Sequence, residues 1–459
     1  MRAGRSGVSA GLAGAGMLVV LTGAVAAGAG RADTPAPLPE PLTLDFALAQ
    51  VDVPSPRLQM SQAEVDAALA RLEVEDSSDN IRSWVEARLR YFEPPSFVQF
   101  DENFDNRLGI FVSKKLYDFG RHDSKLTAAR KSVEGQRLLH QDARQARRIE
   151  IMQSYFDVVL ADLQFYRYNE EMAVAYVELD RLRERNSLEQ VSDIEVLRQD
   201  SEYQRLRRLR IQSQNLQRLT RARLAYVLGR PGQLPDTVAR PTELPHLRRP
   251  LPEVEELQQQ AVQNNRRLQA LRAQVVAAEA RVEVAQAGSL PTLWGNAEAS
   301  AYSLERAGYD PLRIELVVEI PLIDGGRTDA DVAEQRAEVY RLRAELADAT
   351  EQVRQQVLEL WLELDALRVQ REEMQVRTDY RELDLDRSRA LYELEVTADL
   401  GDAMVRVTEA EQASLQTDFN LALAWEKMDV LTWAGQAGAN GEPAAGAKAT
   451  SQTGSSHDR

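Results

Sequence analysis

The chain has 459 residues, a formal net charge of −16, 6% aromatic residues and no cysteine. An acidic balance of that size excludes a nucleic-acid partner, whose phosphates require a basic face. The lack of cysteine removes disulfides, thiolate metal sites and an acylated cysteine anchor, so any membrane attachment has to come from the fold itself.

Residues 1–32 begin with Arg2 and Arg5 and continue through a small-residue apolar stretch from Val8 to Ala29, the order of a secretory signal peptide. The stretch is rich in Gly and Ala, which argues for cleavage over retention as an anchor. Beyond it there is no apolar run of about 18 residues, so a membrane crossing would have to be made by strands. A first structural repeat is expected over 33–228. It opens with helical periodicity from Leu58 to Leu72 and passes to a β-hairpin over 81–116. There Val85, Ala87, Leu89 and Tyr91 alternate with Glu86, Arg88 and Arg90, and Leu108, Ile110 and Val112 recur at every second position. Gly120-Arg121 then opens a very long helical stretch, in which Gly135 is the one interruption before Leu228.

A Pro-rich crossover or equatorial segment follows over 229–253, with Pro231, Pro235, Pro241, Pro245 and Pro250. The second repeat, 254–434, runs through the same steps: helical from Val254 to Ala285, then a hairpin over 291–322. In that hairpin Leu312, Ile314, Leu316, Val318 and Ile320 alternate with residues that include Arg313, Glu315 and Glu319, after a weaker strand from Leu293 to Tyr302. From Arg327 to Leu400 there is neither Gly nor Pro, and Leu342, Leu346, Ala349, Val353, Val357, Leu360, Leu364 and Leu367 form a coiled-coil-like seam. The tail, 435–459, is rich in Gly, Ala and Ser and is expected to be disordered.

The repeats are visible residue by residue. An offset of 206 aligns Leu116-Tyr117-Asp118-Phe119-Gly120-Arg121 with Leu322-Ile323-Asp324-Gly325-Gly326-Arg327, and pairs Tyr155 with Trp361 and Asp193 with Asp399. An offset of 210 aligns Leu58–Arg71 with Leu268–Arg281. Two such blocks in the same order mark a tandem duplication.

Strands that are apolar on one side and charged on the other suit a transmembrane barrel, with Arg88, Arg90, Glu315 and Glu319 facing the lumen. A half-buried soluble hairpin has the same alternation. Closure distinguishes them: barrels need at least about 8 strands, one chain offers four, and open edges are not tolerated in lipid. The chain would have to assemble with itself. The rival reading is a soluble periplasmic coiled-coil scaffold without transport activity. No catalytic constellation is visible. His122, His140, His246 and His457 lack metal-ligand spacing, the first two reading as solvated helix positions, and no phosphate-binding loop is present. Neither an enzyme nor a cofactor is expected.

The twin Leu-x-Asp-x-Gly-Arg blocks, Ser154-Tyr155-Phe156-Asp157-Val158, Val191–Leu197, and Leu228-Gly229 followed by Leu234-Pro235 together resemble the outer-membrane factor (TolC) family. The likeness runs from about Leu42 to Ala434. It implies a mainly α protein with membrane β: long coiled-coil-like helices forming an α-barrel, and a 12-stranded trimeric β-barrel with four strands per chain. It implies a passive outer-membrane channel reaching into the periplasm, serving a tripartite efflux pump or type I secretion. The partners would be a periplasmic adaptor (membrane fusion) protein, an inner-membrane transporter and outer-membrane lipid. The motif positions carry over to Asp118, Gly120, Arg121, Asp324, Gly326 and Arg327 at strand-to-helix junctions, and to Asp193, Asp399 and Asp402 at the periplasmic entrance. The family often has Asn-Pro ahead of the repeat helices; here Ser55-Pro56 and Asn265-Arg266 match it in part.

Overall fold

The computed structural model describes residues 37–93, 103–244, 246–303, 309–394 and 400–433; the expected signal peptide and tail lie outside them. In chain order the elements are α1 (Leu44–Ala49), α2 (Pro56–Ser77), β1 (Arg82–Arg88), β2 (Arg107–Tyr117), α3 (Arg121–Ser187) and α4 (Asp193–Val227). They continue with α5 (Val254–Asn264), α6 (Arg266–Gln286), β3 (Thr292–Tyr302), β4 (Leu312–Glu319), α7 (Arg327–Glu393) and α8 (Leu400–Thr432).

Helices α3 and α7 are each 67 residues long and reach about 100 Å at the helical rise per residue. Shorter helices lie alongside them. On the sheet side the order is α2-α3-α6-α7, held by Lys125–Glu75, by Ser124 donating to Glu283 and by Arg343–Glu279. Farther from the sheet it is α4-α3-α8-α7, held by Arg221–Asp162, by Thr408 donating to Glu170 and by Arg371–Asp418. Gly135 does not interrupt α3. A Cβ there would lie 3.4 Å from the Ala270 carbonyl and 3.9 Å from the Ala273 Cβ, so it lets α6 approach closely.

The expected helix from Val254 to Ala285 is broken at Asn265, whose side chain accepts the Leu268 amide at 3.1 Å and so starts α6 afresh. Ser55 accepts the Leu58 amide at 3.3 Å in the same way. The two partial Asn-Pro matches are therefore equivalent N-caps.

At the waist, Phe156 of α3 stacks on Phe419 of α8, with ring centroids 4.0 Å apart and planes 2° from parallel. Leu224, Leu228 and Ile151 pack around them. The α7 seam closes against Leu257, Leu421, Trp425 and Met428. The belt segments are pinned by the long helices. The Tyr155 hydroxyl lies 3.0 Å from the Leu42 carbonyl and 2.5 Å from that of Ala239, and Trp361 donates to the Pro252 carbonyl at 2.9 Å. These two aromatics occupy equivalent positions in the duplication. Burial pushes the Tyr155 hydroxyl up to about 12, with the nearby Asp45 carboxylate adding to the rise, so it remains a donor. Buried Arg147 donates to the carbonyls of Val53, Gln50 and Val227, tying α1 and the α4 exit to α3. His122 and His140 are half-buried, not solvated; His140 Nδ1 lies 3.2 Å from the Ser61 hydroxyl because α2 packs over it.

The four strands form one antiparallel sheet in the order β1-β2-β3-β4. The regular ladder of β1 stops at Arg88, short of Arg90, because the Asn106 side chain, not a backbone carbonyl, accepts the Arg90 amide. Tyr91 pairs with Phe104 in an isolated bridge, their rings edge to face at 5.6 Å.

Candidate pore-forming sheet, junctions and helical tip

The strand register sorts the side chains into two faces. Opposite one another on the first face are Val85 and Ile110, Ala87 and Leu108, Ile110 and Ala299, Val112 and Ala297, Ala297 and Ile314, and Leu293 and Val318. This face is almost wholly apolar yet open: Val85, Ile110, Ile314, Leu316 and Val318 are all exposed. The second face carries Arg82, Glu86, Arg88, Arg107, Ser113, Lys115, Asn296, Glu298, Arg313, Glu315 and Glu319. Arg88, Glu315 and Glu319 thus lie on the charged side, as expected. Sequence reasoning passed over Arg107 and Glu298, which form an ion pair across β2 and β3. It also passed over the aromatic residues of that face, which share the parity of the charged positions. Parity was the signal that would have found them.

Among the described residues both edges, β1 and β4, lack a further strand neighbour, and at 7 and 8 residues they are shorter than the 11-residue central strands. In hydrocarbon those open edges would be prohibitive.

Each junction motif is a capping device. Asp118 accepts the His122 amide at 3.1 Å and pairs with Lys115 at 2.8 Å. Burial alone would raise its carboxyl, but the Lys115 and His122 hydrogen bonds outweigh it and hold it below the usual carboxylate range. Asp324 accepts the Thr328 amide at 2.8 Å and the Gly326 amide at 3.0 Å. With the Thr328 side chain contributing most, its carboxyl is held at about 2. Gly120 and Gly326 cap α3 and α7 at φ 85° and 83°, in left-handed conformation. Arg121 and Arg327 are the first residues of those helices. Nothing lies within 4 Å of a Cβ placed at Gly326, so Gly326→Ala should cost only the left-handed backbone penalty, about 1–2 kcal/mol. Gly326→Asn should cost less, and a chemical-unfolding midpoint reads the difference.

At the far end α3 turns into α4. Asp193 accepts from Asn186 Nδ2 at 3.0 Å, beside a Ser192–Glu195 capping box. In the other turn Asp402 pairs with Arg406 at 2.8 Å, and Gly401 sits where a Cβ would meet Val174 at 2.9 Å. Asp193 and Asp402 are therefore each partnered within their own turn, and Asp399 lies outside the described residues. Among the described residues no helix is long and apolar enough to cross a membrane, and no group of His, Asp and Glu is placed to hold a metal ion.

Residues 257–432 match the family model for outer membrane efflux proteins. The match lies within the second repeat. A comparison with curated protein sequences finds no match. The fold of the chain is that of solved channels. The Campylobacter jejuni CmeC outer membrane channel superposes with a TM-score of 0.72 at 12% identity, over 85% of each chain. The channel-forming protein CusC gives 0.70 at 16%, over 85% of this chain and 91% of that one. The Neisseria gonorrhoeae MtrE outer membrane channel gives 0.62 at 16%, over 85% and 88%. CmeC and MtrE are outer membrane channels, and CusC forms a transmembrane channel.

Proposed function

We propose that three copies of this chain close into a twelve-stranded barrel and a continuous helical tube, a passive duct through outer membrane and periplasm for a tripartite efflux pump or a type I secretion system. The observation that carries this reading is that sheet and helix layer follow the same order and leave the same two sides open. One side presents β1 with α2 and α4; the other presents β4 with α7. A head-to-tail contact between unlike sides is the kind that closes by rotation into a ring.

The open sides carry apolar stripes suited to such a contact. On α7, Leu362, Val369, Val376 and Leu383 recur every seventh residue and are 54–70% exposed. On α4, Ile194, Leu197, Leu219 and Tyr226 are exposed as well. A soluble scaffold would leave these stripes and the apolar sheet face in water. The duct holds no nucleotide-binding loop, so energy would come from an inner-membrane transporter reached through a periplasmic adaptor. Asp193, Asp399 and Asp402, tripled about the axis, would ring the entrance with carboxylates able to hold cations.

In planar bilayers the purified protein is expected to open water-filled channels. Asp399→Ala combined with Asp402→Ala is expected to change their conductance or their block by divalent cations. A protein that carbonate strips from outer membranes and that opens no channel would refute the duct. Channels with unaltered divalent block would remove the carboxylate gate alone.

A further inference from the structure

The charged face of the sheet carries a continuous run of rings that its polar chemistry does not require. Trp84 of β1 stacks on Phe111 of β2, with centroids 5.3 Å apart and planes 16° from parallel. The Arg107 guanidinium lies 4.8 Å from the Phe111 centroid and 5.7 Å from that of Tyr302 on β3. Tyr302 in turn stacks on Tyr309 at 4.5 Å and 27°. Register places Trp84, Phe111, Arg107 and Tyr302 on the same side as Glu86, Glu298 and Arg313.

Trp84 is 45% exposed. The Arg107 charge is cancelled by Glu298, which also accepts from Ser300 and Tyr302. Charges on the strands of this face nearly balance, five cations against four carboxylates. A surface of this kind selects for a π-face and not for a sign of charge, because stacking on aromatics and on a guanidinium plane tolerates any flat ring. Arg88, Arg107 and Tyr302 lie at the strand ends away from the helices, so the run occupies the outer half of the sheet.

We propose that this run is a stacking platform in the channel lumen that transiently binds planar aromatic solutes as they leave. The inference rests on the duct reading above, which makes the charged face the lumen. Being weak and multi-site, such binding favours passage over retention.

The test is single-channel recording with two neutral probes, N-acetyl-tryptophanamide and N-acetyl-leucinamide, added from the side of the strand ends remote from the helices. The tryptophan amide is expected to produce concentration-dependent current interruptions and the leucine amide far fewer. Trp84→Ala should weaken the tryptophan-amide block about tenfold. Phe111→Leu, which keeps apolar bulk and removes the ring, should weaken it comparably and covers the case in which Trp84→Ala fails to assemble. Equal block by both probes overturns the platform, as does block unchanged in the variants. A Trp84→Ala channel with raised open conductance and unchanged block would make the rings a plug instead, and also overturns it. Total absence of channels would refute the duct itself, a result distinct from channels indifferent to aromatic solutes.

Discussion

Ile314→Arg is expected to abolish stable membrane assembly. Ile314 lies near the middle of β4, 77% exposed, opposite Ala297 on the apolar face. An arginine on the lipid side near the bilayer midplane costs about 2–4 kcal/mol, and a symmetric assembly carries the substitution in every protomer. The readout is the oligomer band in unboiled gels together with resistance to carbonate extraction. Glu315→Arg, one residue along and on the opposite face, should assemble normally. If Ile314→Arg behaves like Glu315→Arg, the assignment of the two faces is wrong.

Phe419→Ala should produce a large loss of stability in the helical part, about 3–5 kcal/mol for a fully buried ring. Phe419 is 1% exposed and its ring stacks on Phe156, so the deletion removes a contact joining the second repeat to the first. It also opens a cavity that Leu415 and Ala422 cannot fill without moving the α8 backbone. Urea unfolding of the detergent-solubilised protein, followed by helical circular dichroism, measures the loss, and Phe419→Leu should recover part of it. A loss below about 1 kcal/mol would show that α8 is not seated on α3 at the waist.

Much of this architecture is written in periodicity. The change of period at Arg82 and again at Thr292 marks strands because only alternation gives one greasy and one wet side, and Gly120 and Gly326 mark helix starts because left-handed backbone favours glycine. Other features depend on partners far away in the chain. Apolar periodicity continues across the break at Asn265, whose cap is a local hydrogen bond; only the partial Asn-Pro match and the alignment of Leu268 with Leu58 point to it. Gly135 read as an interruption because propensity penalises it, whereas the need for α6 to come close outweighs the penalty. Arg107 and Glu298 are 191 residues apart, so their pairing depends on sheet order, which alternation alone does not fix. The acidic residues at the tip were legible as a motif, but the pairing of Asp402 with Arg406 tempers the picture of bare carboxylates on an axis.

The matched spans of α3 and α7 impose a rule on how such a molecule is able to change its reach. Both helices start at a glycine cap on the same sheet and both end at the tip, so they behave as twin legs under one table. Removing seven residues from one alone would shorten it by about 10 Å and tilt the tip, while the shorter helices alongside would lose their register at the waist. Lengthening or shortening is tolerable only when both legs change together and by whole heptads, which makes height a property of the duplicated gene and not of either half.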